Sequence, residues 1–380
     1  MKTLALLFAA FAGAAFSTLA ADEPKPLPLG APAPDFSLPG VDGKTYSLKD
    51  FAASPILVVV FTCNHCPTAQ YYEDRLKRIV TDYRDRGVAV VAISPNDPEA
   101  VRPDELGYAD LGDSLADMKI RARDHAFNFP YLFGGGEFEA ASRAYGPTAT
   151  PHVFVFDAAR KLRYVGRIDD SERERFVRTQ DLRKALDALL AGQEPPVTQT
   201  RVFGCSTKWS SKRDGVKQYW ERIAAEPVTV QPATPEDLRA LRMNESAKND
   251  AAKLRLVNFW ATWCGPCVTE FPDLMQINRM YRQRDFELIT VAAHFTDEQA
   301  EVLRFLKKHQ ASNRNLLFAG SPAAGRDPFM EAFDAEWSGA LPFTVLIDPA
   351  GEILYRKEGA IDALELKRVI LKHLNARKPW

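Results

Sequence analysis

The sequence predicts an α/β protein made of two tandem units, each with a central mixed sheet flanked by helices. The pattern C-x-x-C occurs twice, far apart in the chain, at Cys63/Cys66 and at Cys264/Cys267. Each pair follows an apolar run typical of a buried strand and opens a segment with helical spacing. The same order of further strands and a closing helix then follows both pairs.

The first unit begins with a predicted strand, PILVVVF, and then a predicted helix, TAQYYEDRLKRIVTDY. Three further strands are predicted at VAVVAIS, TATPHVFVFD and KLRYVGR, and the unit closes with a helix at LRKALDALLAG. The second unit repeats this order with LRLVNFW, VTEFPDLMQINRMYRQR, FELITVAA, EQAEVLRFLKKH, ALPFTVLID, EILYRKEG and ALELKRVILKHL. The sequence therefore predicts the same sheet topology for both units.

Length and composition agree with this division. A chain of 380 residues that is 46% hydrophobic can bury two or three cores. The 49 Lys and Arg residues nearly cancel the 50 Asp and Glu residues, which leaves a formal net charge of −1. Nothing electrostatic therefore points to nucleic acid or to an anionic membrane surface as a partner.

The N-terminus has the pattern of a secretory signal peptide over residues 1–21. Lys2 precedes an apolar stretch from Leu4 to Phe16, and small residues at Ala20 and Ala21 end it. An uncleaved membrane anchor is the alternative, and we favour cleavage because alanine and glycine dilute the apolar stretch. No later stretch is apolar enough to span a bilayer. We therefore expect an exported protein, periplasmic or extracellular, in a space where disulfides form.

The two cysteine pairs could form redox centres, a zinc site, a haem attachment site or ordinary disulfides. A zinc ribbon needs its pairs some fifteen to twenty residues apart, and haem attachment needs His after the second cysteine, where Pro67 and Val268 stand. The strand before each pair and the helix after it favour redox chemistry. A first cysteine at a helix N-terminus is stabilised as the thiolate, and the second can resolve a mixed disulfide. No cofactor and no metal are expected.

Residues from about 228 to 376 resemble the TlpA/ResA-like exported thiol-disulfide oxidoreductases of the thioredoxin superfamily, through FWATWCGPC, Pro272 and Leu341-Pro342. Residues from about 28 to 210 resemble a peroxiredoxin-like branch, the AhpC/TSA-type redoxins, through APDFSLPGVDGKTYSL, CNHCP, TATPHVFVFD, GRIDD and GCSTKW. The resemblance implies two tandem thioredoxin-like folds. The expected order is a signal peptide at 1–21, a peroxiredoxin-like domain at 28–194, an irregular connecting segment at 195–227 that contains GCSTKW, and a TlpA/ResA-like domain at 228–380.

In the C-terminal unit the resemblance makes Cys264 the attacking thiolate and Cys267 the resolving thiol. It also implies a cis bond before Pro342, and before Pro151 in the first unit, which leaves the preceding backbone free to pair with an extended substrate. A trans turn proline is the alternative at both positions.

Four more residues near this pair carry expectations. Glu270 matches a family glutamate that could relay the proton of the resolving thiol, but it could equally be a solvated surface residue. Asn258 stands where thioredoxin has a buried Asp. Trp263 and Trp260 resemble family residues beside the pair, and a place in the core is the alternative for Trp260.

In the N-terminal unit, His65 lies inside the pair as in the CPHC motif of DsbA. A positive imidazole there would lower the pKa of Cys63 and make the disulfide more oxidising. A His65 side chain in solvent is the alternative. Cys205 in GCSTKW could be a third redox partner that closes on Cys63 or Cys66, but we favour a buried inert thiol because no sequence spacing forces the contact.

The sequence thus predicts a thiol-disulfide oxidoreductase acting on protein thiols and disulfides through CGPC, with a second redox pair in CNHC. A membrane-bound thiol reductase is a candidate partner, and electron relay between the pairs is a further hypothesis. A thiol peroxidase is one alternative, although in the motif P-x-x-x-[ST]-x-x-C the chain has Val58 for Pro and His65 for Cys. A binding protein with one inactive domain is the other.

Overall fold

The computed structural model describes residues 23–244 and 253–377. The predicted signal peptide at 1–21 lies outside the described residues. Within them, no helix is both long enough and apolar enough to cross a lipid bilayer.

The first half of the chain forms one α/β unit. Its strands are β1 (Ser37–Pro39), β2 (Thr45–Ser47), β3 (Ile56–Phe61), β4 (Val88–Ser94), β5 (Tyr131–Phe133), β6 (Ala149–Thr150), β7 (His152–Phe156), β8 (Leu162–Gly166) and β9 (Cys205–Ser206). Its helices are α1 (Pro67–Tyr83), α2 (Leu115–Asp124), α3 (Glu139–Tyr145), α4 (Asp181–Leu190) and α5 (Arg213–Ala224).

The second half repeats the architecture. Its strands are β10 (Gln231–Ala233), β11 (Leu254–Trp260), β12 (Phe286–Phe295), β13 (Arg314–Phe318), β14 (Phe343–Ile347) and β15 (Ile353–Glu358). Its helices are α6 (Pro235–Arg242), α7 (Gly265–Tyr281), α8 (Gln299–Lys308), α9 (Asp327–Phe333) and α10 (Ala363–Arg377).

The two main sheets have the same topology. The first has the strand order β5-β4-β3-β7-β8, and the second has β13-β12-β11-β14-β15 with β10 added beside β13. In the first sheet β5, β4 and β3 are parallel, β7 is antiparallel to β3, and β8 is antiparallel to β7. In the second sheet β13, β12 and β11 are parallel, β14 is antiparallel to β11, and β15 is antiparallel to β14. This mixed sheet flanked by helices confirms the predicted fold class and the internal repeat.

The central strands are buried on both faces, as their unbroken apolar runs predict. Every residue of β3 is buried: Val58 and Val60 join one apolar cluster, and Leu57 and Val59 join another on the opposite face. Burying one such side chain stabilises the fold by about 1.5–3 kcal/mol. Each cysteine pair therefore follows a central strand that is buried along its whole length.

The segment at 195–227, expected to be irregular, contains helix α5. Before that helix it packs on the first unit, where the N–H of Val165 donates to the carbonyl of Thr198 over 2.9 Å. The N–H of Thr200 returns a bond to the carbonyl of Val165 over 3.1 Å. Strand β9 then pairs antiparallel with β6, with Thr150 opposite Cys205. The part of this segment before α5 is therefore attached to the first unit.

The two units meet at the C-terminal end of α7. The Tyr281 hydroxyl donates to the carbonyl of Ala109 over 2.9 Å. The Arg368 guanidinium contacts Asp110 over 2.8 Å and Asp124 over 2.6 Å. Because α7 has 17 residues, it is about 25 Å long. Cys264, at its other end, thus lies about one helix length from the contact that Tyr281 makes.

Candidate functional site: two cysteine centres

The C-terminal cysteines form a disulfide at the start of α7. The S–S distance between Cys264 and Cys267 is 1.98 Å and their Cα atoms are 5.3 Å apart. Cys264 is the N-cap of the helix, and its Sγ accepts the backbone N–H of Cys267 over 3.3 Å. An N–H donor and the positive end of the helix dipole both stabilise negative charge on this sulfur.

The surroundings of this disulfide are partly open. The side chain of Trp263 is 57% exposed, whereas Trp260 is fully buried and packs on Phe271. Trp260 is therefore a core residue, and Trp263 is available at the surface. The Leu341–Pro342 peptide bond is cis. In the described part of the chain, no strand pairs with residues 340–341.

Glu270 is buried, which rules out the alternative of a solvated surface residue. Its Oε1 accepts the side-chain amide of Asn258 over 3.0 Å, and its Oε2 accepts the N–H of Ile361 over 2.9 Å. Burial raises the pKa of the Glu270 carboxyl above its ordinary value, although these two hydrogen bonds lower it in part. A carboxyl of this kind can hold or release a proton nearer to neutral pH.

Sequence reasoning missed one polar group near this pair. The Oγ1 of Thr262 lies 2.9 Å from Nε2 of His294 and donates to Glu301 over 2.6 Å. The ring of His294 is fully buried, and this burial lowers its pKa. His294 lies at the end of β12, so only the parallel pairing of β11 with β12 could have predicted the contact.

The N-terminal pair differs in where its helix begins. Cys63 was expected at the helix N-terminus, but Cys66 is the N-cap of α1 and its sulfur accepts the N–H of Ala69 over 3.5 Å. The reason is the position of proline, which favours the first turn of a helix. Pro67 follows the pair and is the first residue of α1, whereas Pro266 lies inside its pair and is the second residue of α7. Helix α7 therefore begins three residues earlier than α1 relative to the cysteines.

The two N-terminal thiols consequently have different acidities. Burial raises the pKa of Cys63 well above its ordinary value, and a hydrogen bond with Cys66 adds to this effect. Burial would also raise the pKa of Cys66, but hydrogen bonds from Cys205 and Cys63 and from backbone N–H groups outweigh it and hold that pKa well below normal. The expectation of an acidic Cys63 is therefore wrong, and Cys66 is the acidic thiol.

His65 does not serve Cys63 in the predicted way, and it does not point into solvent either. Its ring is 2% exposed, and Nδ1 lies 2.5 Å from Oδ2 of Asp113. Burial lowers the pKa of His65, but the charge of Asp113 and its hydrogen bond outweigh this and raise it overall. Asp113 also accepts the N–H of Asn64 over 2.9 Å. The imidazolium charge is thus balanced by a carboxylate that also holds the cysteine loop.

Sequence reasoning missed Asp113, which follows His65 by 48 residues in a loop without a motif. It also missed Thr150, whose Oγ1 lies 3.2 Å from the Cys63 sulfur and whose carbonyl accepts the Cys66 thiol over 3.3 Å. Pro151 follows Thr150, and the bond between them is cis. Because a cis bond was expected before Pro151, this proline was the sequence signal that could have placed Thr150 beside the cysteines.

Cys205 is half-buried and contacts the pair, so the expectation of a buried thiol without contact to the pair is wrong, and its redox role stays a prediction. Its backbone N–H donates to the Cys66 sulfur over 3.3 Å, and the two thiols are hydrogen-bonded to each other. This bond, together with burial, raises the pKa of Cys205. All three cysteines are free thiols in the structure. The first unit therefore has a three-thiol centre, where the sequence predicted a pair with an uncertain neighbour.

A metal ion was not expected, but one cluster offers suitable ligand atoms. Cys63, His65 and Asp113 place one ligand atom each within 4.8 Å of the others among the described residues. The short contact between His65 and Asp113 already uses Nδ1 of the imidazole. The cluster's clearest structural effect is therefore to fix the cysteine loop.

Comparison with known proteins agrees with this division of the chain. The AhpC/TSA family matches residues 29–165, and the family described as Redoxin matches residues 237–369. The thiol:disulfide interchange protein CycY of Rhizobium leguminosarum is 34% identical over 143 residues, which are 36% of this chain and 68% of CycY. HelX of Rhodobacter capsulatus, also a thiol:disulfide interchange protein, is 28% identical over 49% of this chain and 78% of its own length.

One solved structure is similar over about half of the chain. It is a hypothetical protein of Sinorhizobium meliloti, 35% identical, covering 49% of this chain and 97% of its own, with a TM-score of 0.43.

The repeated sheet defines a protein with two tandem thioredoxin-like folds, each with a pair of cysteines after its central strand. The chain belongs to the thioredoxin-like thiol-disulfide oxidoreductases, with an AhpC/TSA region followed by a Redoxin region.

Proposed function

We propose that the protein is exported and that its Cys264/Cys267 pair exchanges a disulfide with cysteines of client proteins. One observation carries this proposal: the disulfide caps α7 beside the exposed Trp263, with its first sulfur bonded to a helix N–H group. Export is supported by the signal pattern over residues 1–21.

Each residue has a role in the reductive direction of this proposal. The Cys264 thiolate attacks a client disulfide, one client sulfur leaves as a thiolate, and Cys264 is joined to the other. Cys267 then loses its proton and attacks Cys264, so that the second client thiolate leaves. Two electrons pass from the pair to the client, and the Cys264–Cys267 disulfide forms. Glu270 is the proposed acceptor of the Cys267 proton, because its buried carboxyl lies one helical turn further along α7.

The open backbone at Leu341, next to Pro342, is the proposed docking edge for the client. An extended peptide could pair with this edge as an added strand, while Trp263 packs on its side chains. Protein thiols and disulfides are therefore the proposed substrates, and a membrane-bound thiol reductase is the candidate electron donor.

The CNHC pair is proposed as a second redox centre. The AhpC/TSA match favours thiol peroxidase activity as the second candidate function. However, Cys63 is buried and its pKa is raised, and a peroxidatic cysteine must react as an accessible thiolate. This favours disulfide exchange over peroxide reduction in the first unit.

Reduction of insulin disulfides by dithiothreitol-charged protein tests the proposal. We expect Cys264→Ser to lower the rate at least about 100-fold, since it removes the attacking thiolate. Cys63→Ser is the matched control and should keep most of the activity. Equal rates for the Cys264→Ser variant and the unmodified protein would reject the proposal, and peroxide turnover that depends on Cys63 would favour the peroxidase.

A further inference from the structure

The two units differ in what lies beside the residue that precedes the cis-proline. In the second unit, no described strand pairs with residues 340–341. In the first unit, the corresponding residues form β6, and β9 of the same chain pairs with them antiparallel. Cys205 lies directly opposite Thr150 in this pairing. The position open to an extended client in the second unit is thus occupied in the first.

The occupying segment is anchored by two hydrogen bonds on the C-terminal side of Cys205. The Thr207 hydroxyl donates to the carbonyl of Pro147 over 2.9 Å, and the N–H of Lys208 donates to Asn96 Oδ1 over 2.8 Å. Asn96 in turn donates to Asp113 over 2.7 Å, so the segment is connected to the loop that holds the cysteines.

Gly204 makes this close approach possible. Its φ is +137°, and a Cβ built on it would lie 2.0 Å from the carbonyl oxygen of Thr150. A real Cβ essentially never comes that close to a backbone oxygen, so any larger residue must push the segment away from β6. The backbone at 204 therefore depends on glycine to dock.

The docked segment brings a third sulfur to the pair. Cys205 contacts Cys66 through its backbone N–H and its thiol, while Cys63 and Cys66 are themselves 2% and 0% exposed. Of the three thiols, Cys205 has the greatest access to solvent. A reagent that approaches the docked centre therefore meets the Cys205 sulfur first.

We propose that residues 204–206 act as a built-in client of the first unit, and that Cys66 and Cys205 form the working disulfide of its redox cycle. This inference rests on the proposed redox activity of the CNHC pair and names its partner. It also assigns a substrate class: small or exposed thiols and disulfides that can reach Cys205, in place of extended protein segments.

The reaction balances with an external dithiol as the reductant. Its first thiolate attacks the Cys205 sulfur, the Cys66–Cys205 bond breaks, and Cys66 leaves as a thiolate. The second thiol of the reagent then loses its proton and attacks the first, so that Cys205 leaves and takes up a proton. The reagent becomes a disulfide and gives two electrons to the centre. Attack at the exposed sulfur with release of the more acidic thiol is the favourable direction for exchange.

Disulfide mapping in the full-length chain tests the inference. The protein is fully reduced, oxidised with oxidised glutathione, quenched in acid, alkylated and digested, and its disulfides are identified by mass spectrometry. We expect a Cys66–Cys205 linkage, which should persist in Cys63→Ser. A Cys63–Cys66 linkage alone, with Cys205 always alkylated, would overturn the inference and leave the redox pair intact. The absence of any disulfide among the three would overturn both.

Gly204→Ala gives a second measurement that does not depend on trapping the linkage. Displacement of β9 should raise the alkylation rate of Cys63 at least about tenfold, which corresponds to a loss of about 1.4 kcal/mol in docking. Gly215→Ala is the control, because Gly215 lies in α5 and a Cβ there meets nothing within 4 Å. Unchanged Cys63 alkylation in a folded Gly204→Ala variant contradicts the inference.

Discussion

Asn258 donates its side-chain amide to Glu270 over 3.0 Å and so joins the central strand β11 to helix α7, three residues beyond Cys267. Both side chains are buried, and Oδ1 of Asn258 has no partner among the described residues. The C-terminal centre thus has a carboxyl held in a fixed position by an amide, where thioredoxin has an acid on the strand itself.

Glu270→Gln should therefore slow insulin reduction by about 100-fold, the lower end of the contribution of a positioned proton carrier. The fold should persist, since the glutamine amide can donate to the unpaired Oδ1 of Asn258. Burial raises the pKa of Glu270. The activity of the unmodified protein should therefore fall as pH drops through that pKa, and this fall should be absent from the pH–rate profile of the variant. The measurement is a pH–rate profile. Asp273→Asn, an exposed change on the same helix, is the control, and identical profiles for Glu270→Gln and the unmodified protein would exclude the relay.

The ion pair of His65 and Asp113 should make stability depend on pH in a defined window. Asp113 has a lowered folded pKa, so its contribution is complete above about 3.9 and is lost as pH falls through the folded value. His65 has a raised folded pKa, so its contribution is complete below about 6.5 and is lost as pH rises through the folded value. The pair is fully effective between these limits.

Asp113→Asn should accordingly destabilise the protein by about 3–5 kcal/mol near pH 5.5, because it leaves a buried cation without its partner. The difference from the unmodified protein should narrow as pH rises through the raised folded pKa of His65, because the ring then loses its charge. Thermal unfolding across pH is the measurement. Asp82→Asn, at an exposed ion pair, should change stability by less than about 1 kcal/mol. A deficit that stays constant from pH 5.5 to pH 9 would show that hydrogen bonds alone, without the charge, hold the loop.

The two cysteine centres should have independent redox potentials. Cys264 lies at the opposite end of α7 from the contact between the units, where Tyr281 bonds to Ala109. Cys264 and Cys267 belong to one apolar cluster, and Cys63, Cys66 and Cys205 belong to another, so no direct exchange is expected between the pairs in this arrangement. Replacing Cys63, Cys66 and Cys205 together by Ser should shift the potential of the C-terminal pair by less than about 10 mV. Redox titration with alkylation checks this, and a shift above about 30 mV would support the relay hypothesis instead.

The sequence predicted the parts of the fold that depend on local pattern. The buried run of β3 and the helical spacing after each pair were sufficient for the repeated sheet, and the cis bond expected at Leu341-Pro342 is present. The three-thiol centre could not be predicted in this way. Its contacts join Cys66 to Cys205 and His65 to Asp113 across 139 and 48 residues, and neither helical nor strand periodicity carries information over such separations.

The wrong prediction of the helix start in the first unit has a cause that is visible in the sequence. Both pairs were expected to place their first cysteine at the helix start, although Pro67 and Pro266 stand at different positions relative to the cysteines. Since proline favours the first turn, its position predicts which sulfur becomes the N-cap. Asp113 had no comparable signal, because a single aspartate in a loop resembles many surface residues.

The different starts of α1 and α7 also give the two centres opposite polarity along the chain. In the second unit the sulfur favoured as a thiolate precedes its partner in the sequence, and in the first unit it follows its partner. A duplicated scaffold can therefore present reversed donor and acceptor sulfurs without any change of topology. The position of one proline relative to the cysteines is enough to change which cysteine of the pair is favoured as the thiolate.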